Sequence, residues 1–382
     1  MPPIPLLLSA GEVSGDMYAA RLAMALQSRL DVQLFGMGGR QMQAAGVEII
    51  MNYEEVSVVG ITEILKHLPS LLKAMDRLVA EAEKRKPALA ILTDFPGFHL
   101  RLARKLQPKG IRNVYYICPQ FWAWRPWRVN LIRRRFEKAL CIFPFEKEFF
   151  GNAGISTEFI GHPLVGTVSA TKDRKQFREE NNLAAGRAVV TVLPGSRTAE
   201  LQHHLPVLQE ACARIHAKMP AQFVVAAAHP KDMEMLNSGW PPGLKICVVE
   251  GQTYNALAAG DAAIVSSGTA TVEAALLDAP MVVVYRVSPL TATLAKPLVR
   301  TPFFAMVNLI AGKKAVPELV QSDFTPEKVA AAVLRLLQDP NARTAMRASL
   351  AEIRKRLGPP GAVERAADAI AGLLVKGAGN DS

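Results

Sequence analysis

Asp94 follows an apolar run at residues 88–92 and precedes Phe95-Pro96-Gly97. Proline and glycine would hold a turn there, leaving the carboxylate at the C-terminal edge of a sheet, where open α/β folds keep reactive groups. An aspartate so placed is either a turn or cap residue or a general base that takes a proton from an attacking hydroxyl. Farther on, residues 191–197 read as a strand, the tight turn Pro194-Gly195-Ser196-Arg197, and the start of a helix. The N–H groups of Gly195 and Ser196, with the guanidinium fork of Arg197, would suit a diphosphate. A second turn, Ser266-Ser267-Gly268-Thr269, again follows a strand and opens a helix, and Glu273 inside that helix could accept bonds from ribose hydroxyls. One glycine–serine turn is generic. Two in one half of a chain, one with an arginine and one with a glutamate, suit a nucleoside diphosphate much better.

The first loop, Gly11-Glu12-Val13-Ser14-Gly15-Asp16, would let backbone approach a ligand. Ser14 and Asp16 read equally as helix caps or as ligands to substrate. Glu12 is harder to explain as a cap and could hold a sugar hydroxyl. The loop is not G-x-G-x-x-G, so a dinucleotide fingerprint is absent. The sequence has no D-x-D pair and no His or Cys pair at ligand spacing; His203 and His204 are adjacent and would point apart on a helix. Neither a metal nor a cofactor is expected. Charge on a departing diphosphate would then be met by arginine, backbone amides and a helix dipole.

These residues need elements to hold them. Strand-like and helix-like segments alternate from residue 6 to residue 160, with strands expected near 6–9, 31–35, 88–92, 113–117, 139–143 and 157–160, and a glycine-rich turn at 36–39. A second series follows the polar run at 171–182, with strands near 188–193, 222–227, 245–249, 262–265 and 280–285. Helices are expected at 17–30, 71–85, 98–107, 325–338, 342–357 and 362–375. Such alternation predicts parallel sheets covered on both faces. The fold class is α/β, two Rossmann-like domains facing a cleft. The expected division is 1–168 for an acceptor- and membrane-facing domain, with the last helix at 362–376 able to pack back on it, and 169–361 for a nucleotide-sugar domain.

At 382 residues the chain exceeds what one core usually serves, which favours two domains. Lysine and arginine exceed aspartate and glutamate, 45 to 34, giving a net charge of +11. That balance favours anionic partners. The four cysteines are scattered without a C-x-x-C pair, so reduced buried thiols are expected rather than a disulfide framework. The start lacks a basic leader and no apolar run is long enough to span a bilayer, so a cytoplasmic protein touching a membrane only at its surface is expected.

Two regions bear on that surface. Ile64, Leu65, Leu68, Leu71 and Leu72 share one helical face, either core-facing or a lipid anchor. Trp122-Ala-Trp124-Arg125-Pro-Trp127-Arg128, followed by Arg133-Arg134-Arg135, interleaves aromatics with arginine. That pattern fits a membrane interface, an anionic substrate, nucleic acid, or simple packing on proline. Two complete phosphate turns and Asp94 argue against a nucleic-acid module, which needs neither.

Taken together, these segments resemble the lipid-A-disaccharide synthase family along nearly the whole chain. The resemblance rests on the Gly11–Asp16 loop, Asp94-Phe-Pro-Gly-Phe98, residues 116–125, Phe143-Pro-Phe-Glu146 and Phe159-Ile-Gly-His-Pro163. In the second half it rests on Leu193-Pro-Gly-Ser-Arg197 with Glu200, Ser267-Gly-Thr-Ala-Thr-Val-Glu273, and Asn308-Leu-Ile-Ala-Gly312 with Val316-Pro-Glu318. The glycine turns are generic singly; their order and the Trp-Ala-Trp segment are specific. The resemblance implies a GT-B fold and an inverting, metal-independent transfer from UDP-2,3-diacylglucosamine to 2,3-diacylglucosamine 1-phosphate. On it Asp94 is the base, and Arg197 with Ser266, Ser267, Gly268 and Thr269 holds the diphosphate. Glu273 holds ribose, and Glu12, Ser14, Asp16, Trp124, Arg125, Gly195, Ser196 and Asn308 join the substrate-binding set. It also implies an anionic membrane surface as partner, on the inner face of the cytoplasmic membrane, and leaves a homodimer open. The chain departs from the family's pattern at Val13, Thr93, His99, Cys118 and Val307, where alanine, isoleucine, asparagine, serine and proline are usual. A MurG-like transferase and a UDP-GlcNAc 2-epimerase are the nearest rival readings.

Overall fold

The structure, a computed structural model, describes residues 2–55, 61–124, 126–288 and 301–378; for residues 61–70, 124 and 376–378 it describes the backbone only. The chain divides into two compact units, Met1–Pro163 with Gly358–Ser382, and Leu164–Leu357.

The first unit is built on seven parallel strands: β1 (Ile4–Ala10), β2 (Val32–Gly38), β3 (Glu48–Asn52), β4 (Leu89–Thr93), β5 (Asn113–Tyr116), β6 (Lys138–Cys141) and β7 (Thr157–Phe159). Their order is β3-β2-β1-β4-β5-β6-β7. The central strands are apolar without alternation because helices cover both faces; Leu6, Leu7, Leu8, Leu89, Ala90, Ile91 and Leu92 are fully buried. The last helix, Ala362–Ala378, belongs to this unit. It is tied to it by Arg365 Nε donating to the Ile160 carbonyl (2.8 Å) and by the Arg29–Asp368 ion pair (2.7 Å).

The second unit carries six parallel strands: β8 (Ala188–Leu193), β9 (Ala221–Ala227), β10 (Lys245–Glu250), β11 (Ala262–Ser266), β12 (Met281–Tyr285) and β13 (Glu318–Val320). Their order, β10-β9-β8-β11-β12-β13, repeats the plan of the first sheet.

Each sheet reverses its strand order once, and there two loops leave the sheet side by side. In the first unit β1 pairs with β4, with Ala10 beside Thr93, so the loops that follow begin at Gly11 and Asp94. In the second, β8 pairs with β11, with Leu193 beside Val265, so the neighbouring loops begin at Pro194 and Ser266. Crevices of this kind are where open α/β sheets bind ligands.

One expectation is corrected. The glycines at 36–39 do not end a strand, because β2 runs on through Gly38. Gly36 has φ +155°, and a Cβ there would lie 2.0 Å from the Leu8 carbonyl oxygen. The missing side chain lets β2 lie against β1 rather than turn away from it.

Candidate active site

In the first unit Asp94 and Phe95 are consecutive left-handed residues, with φ of 53° and 44°. Non-glycine residues pay roughly 1–2 kcal/mol each for that conformation, so the surroundings must hold it. The Asp94 carbonyl accepts two side-chain bonds, from the Tyr115 hydroxyl (2.8 Å) and from His99 Nδ1 (2.7 Å). Since Nδ1 donates, His99 Nε2 accepts, from the Ser9 hydroxyl at 2.8 Å. Burial pushes the imidazole down to about 4, so it stays neutral near pH 7. Phe95 stacks on Phe98, ring centroids 5.6 Å apart. Gly11 makes room for it, because a Cβ at residue 11 would sit 2.2 Å from the Phe95 ring. Proline at residue 96 then starts the helix Pro96–Leu106.

The Asp94 carboxyl is pushed up to about 6, first by burial and then by the charge of Glu12, while the Phe95 N–H pulls the other way. Glu12 holds the N-cap position of the helix Val13–Gln27, but its side chain makes no capping bond. Glu12 and Ser14 are both exposed. Two carboxylates therefore lie near enough at one switch point to feel each other's charge, and the Asp94 carboxyl is raised toward neutrality.

Asp16 does something else. Its carboxylate is buried and accepts from the N–H groups of Gly39 (2.6 Å), Gln41 (3.0 Å) and Met42 (3.3 Å), capping the helix Arg40–Ala44. The expectation that it binds substrate or caps its own helix is corrected: a carboxylate filled by three backbone donors has little left for a ligand. Around the aromatic segment, Glu146 is fully buried and accepts from Trp122 Nε1 (3.1 Å) and from the N–H groups of Ile142 (3.3 Å) and Phe143 (3.2 Å). Burial pushes this carboxyl up to about 7. Trp127 is exposed. Arg125 and the Trp124 side chain lie outside the described residues, as do the side chains of Ile64, Leu65 and Leu68. Leu71 packs on the core whereas Leu72 is 45% exposed, so the described end of that apolar face is divided.

In the second unit the two predicted turns line one pocket of about 350 Å³, with Gly195, Ser196, Arg197, Ser266, Ser267, Gly268, Thr269 and Glu273 in its wall. The Ser266 side chain is buried, and its hydroxyl has no partner among the described residues. An unpaired buried hydroxyl is a natural donor to a ligand oxygen. Tyr254 donates to Glu273 at 3.2 Å, and burial raises the Glu273 carboxyl. Ser267 Oγ is turned to the Phe304 carbonyl (3.1 Å).

Two further expectations change here. Glu200, at the third position of the helix Thr198–Lys218, accepts from the N–H groups of Ser196 (3.1 Å) and Arg197 (3.4 Å) and pairs with the Arg197 guanidinium (3.0 Å). The Ser196 N–H is therefore taken by Glu200, beside the capping bond that Glu200 accepts from Arg197, and is not offered outward. Asn308 is fully buried: its amide donates to the Val316 carbonyl (2.9 Å) and to Glu318 (2.7 Å), and its oxygen accepts from the N–H groups of Ala315 (2.7 Å) and Val316 (2.9 Å). All four of its hydrogen-bonding positions brace its own loop, which corrects its reading as a ligand.

The sequence reading passed over Thr253 and Tyr254, although residue 253 follows a strand and opens a helix as the other two turns do. It also missed His204, whose Nδ1 donates to the Pro194 carbonyl (2.6 Å) while Nε2 accepts from the Arg286 N–H (2.9 Å), fixing the start of the arginine turn. Among the described residues no group of three His, Cys, Asp or Glu side chains is placed to hold a metal, and no helix is long and apolar enough to cross a membrane.

Comparison with known proteins gives this geometry its context. A sequence profile described as lipid-A-disaccharide synthetase matches residues 6–369. The lipid-A-disaccharide synthase of Myxococcus xanthus is 42% identical over 378 residues, covering 98% of this chain and 99% of its own. That of Solibacter usitatus is 44% identical over 373 residues, 97% of each. Among solved structures, the S. aureus MnaA–UDP co-structure superimposes with a TM-score of 0.67 at 13% identity over 96% of each chain. MurG of Acinetobacter baumannii does so with a TM-score of 0.58 at 18% identity, over 97% of this chain and 99% of its own. At such identities the structures speak for the shared GT-B fold alone, while the sequence relatives speak for more. The chain belongs to the lipid-A-disaccharide synthase family and is a glycosyltransferase of lipid A biosynthesis.

Proposed function

We propose that the chain transfers diacylglucosamine from UDP-2,3-diacylglucosamine to the 6-hydroxyl of 2,3-diacylglucosamine 1-phosphate, with inversion and without a metal. The products are the β(1→6)-linked disaccharide 1-phosphate and UDP. Asp94 takes the proton from the 6-hydroxyl as its oxygen forms the new bond to the donor's anomeric carbon. The bond from that carbon to the UDP oxygen breaks, and its electron pair leaves with the diphosphate. The observation that carries this reading is the Asp94 carboxyl itself, held at a sheet switch point and raised to about 6, where it is ionised at neutral pH yet still basic enough to accept a proton. Support for the nucleotide comes from the second unit's pocket. Arg197, the N-terminus of the helix Thr269–Leu276 and Ser266, whose buried hydroxyl has no partner among the described residues, line it and suit a diphosphate. Glu273 suits ribose hydroxyls; Glu12, whose charge acts on Asp94, and the exposed Ser14 on the same loop suit sugar hydroxyls.

Both substrates carry acyl chains, so the enzyme must meet them at a lipid surface. The +11 charge and the exposed Trp127 and Leu72 support peripheral contact with an anionic inner leaflet. A UDP-release assay with the two acylated glucosamines tests the reading: release is expected only when both are present. Conversion of UDP-N-acetylglucosamine alone to its mannosamine epimer would instead favour the epimerase that this fold also serves.

A further inference from the structure

Asp94 is held less by its own turn than by side chains reaching in from two other elements. Tyr115 comes from β5, and its hydroxyl donates to the Asp94 carbonyl at 2.8 Å. His99 comes from the first turns of the helix Pro96–Leu106, and its Nδ1 donates to the same oxygen at 2.7 Å. Ser9, on β1, completes the set by fixing the imidazole from behind at 2.8 Å. Ser9, His99 and Tyr115 are all fully buried. None of them can touch a substrate, so any effect they have on the reaction passes through Asp94.

A carbonyl that accepts two donors has both lone pairs used, which fixes the plane of the 94–95 peptide. That peptide joins the two left-handed residues, so the two bonds hold a backbone conformation that non-glycine residues rarely adopt. Were they removed, the turn could relax toward an ordinary φ and swing the carboxylate away from the direction it now takes. We propose that Tyr115 and His99, the latter oriented by Ser9, are positioning residues that aim the Asp94 carboxylate. This rests on Asp94 being the base.

The test compares Tyr115→Phe, His99→Asn and the double variant Tyr115→Phe/His99→Leu in steady-state transfer, with Asp94→Asn alongside. The double variant is expected to lose about a hundredfold in kcat, the scale of a misplacement near 1 Å. KM for both substrates should stay within about twofold, because neither residue meets substrate. His99→Asn is expected to stay close to wild type, since the asparagine Nδ2 stands at the same remove from Cα as the imidazole Nδ1 and can donate to the same carbonyl. Wild-type kcat in the folded double variant, with Asp94→Asn inactive, would overturn this inference alone. So would a kcat loss in His99→Asn as large as in the double variant. Wild-type turnover in Asp94→Asn would overturn the base assignment and this inference with it. Should the double variant fail to fold, Tyr115→Phe decides: a kcat loss of about tenfold at constant KM sustains the proposal, and unchanged kcat overturns it.

Discussion

Asp94→Asn is expected to fold as the wild type does and to lose about two to four orders of magnitude in turnover. The fold should survive for three reasons. Asparagine has the size of aspartate and is among the few residues that tolerate left-handed φ. The backbone carbonyl that Tyr115 and His99 hold is unchanged by the substitution. The amide also removes a charge that burial and the nearby Glu12 both disfavour, so the melting temperature should hold or rise slightly. Turnover should fall because an amide cannot accept a proton from the attacking hydroxyl. The same group is expected to shape the wild-type pH profile. The carboxyl must be ionised to act, so kcat/KM should climb with pH and level off above about 6. Melting curves and UDP release measured on both proteins check this together. A folded variant within a few-fold of wild-type turnover would move the base to another residue.

Arg197→Ala is expected to weaken UDP binding by about 1.5–3 kcal/mol, the range for a hydrogen bond to a charged partner. That corresponds to about 10- to 150-fold in Kd. The arginine side chain is 71% exposed at the pocket and pairs with Glu200 at 3.0 Å. That pair sets how the loss should behave. Glu200 keeps its two backbone donors in the variant, so the turn should hold its shape while the pocket loses a cation and keeps an anion. The affinity loss should therefore exceed any loss of stability, and it should shrink as salt screens the exposed site. Calorimetric titration of UDP into Arg197→Ala and into Asp94→Asn separates the two roles: the first should bind weakly and the second like wild type. An unchanged titration in Arg197→Ala would take that residue out of the nucleotide site.

Much of the architecture was legible because buried parallel strands are apolar without interruption. Residues 88–92 and 262–265 announce themselves in this way, and the strand–glycine–helix grammar after 193 and after 266 marks one pocket wall. What escaped notice depends on contacts that sequence spacing does not show. β3 and β13 are short, half-buried edge strands whose Glu48 and Glu318 break any apolar run. Gly36 reads as a turn residue unless one knows that the Leu8 carbonyl lies 2.0 Å from where its side chain would be. Asp16 and Asn308 carry the right chemistry for ligands, yet the fold spends them on backbone N–H and carbonyl groups. For Asp16 these lie 23 to 26 residues away, and for Asn308 a few residues along its own loop. The departure at His99 also makes sense only in three dimensions, since its Nδ1 donates to Asp94 from the place where an asparagine nitrogen would stand.

The central claim is that a carboxylate of the first unit serves as proton acceptor for a transfer from a uridine nucleotide held by the second. A crystal structure with UDP and 2,3-diacylglucosamine 1-phosphate bound tests it most directly. The account predicts the diphosphate between Arg197 and the Ser266–Thr269 turn, and an Asp94 carboxylate oxygen within hydrogen-bond reach of the acceptor's 6-hydroxyl, about 2.6–3.2 Å. A bound acceptor whose 6-hydroxyl meets some other base, with Asp94 more than one water away, would contradict it.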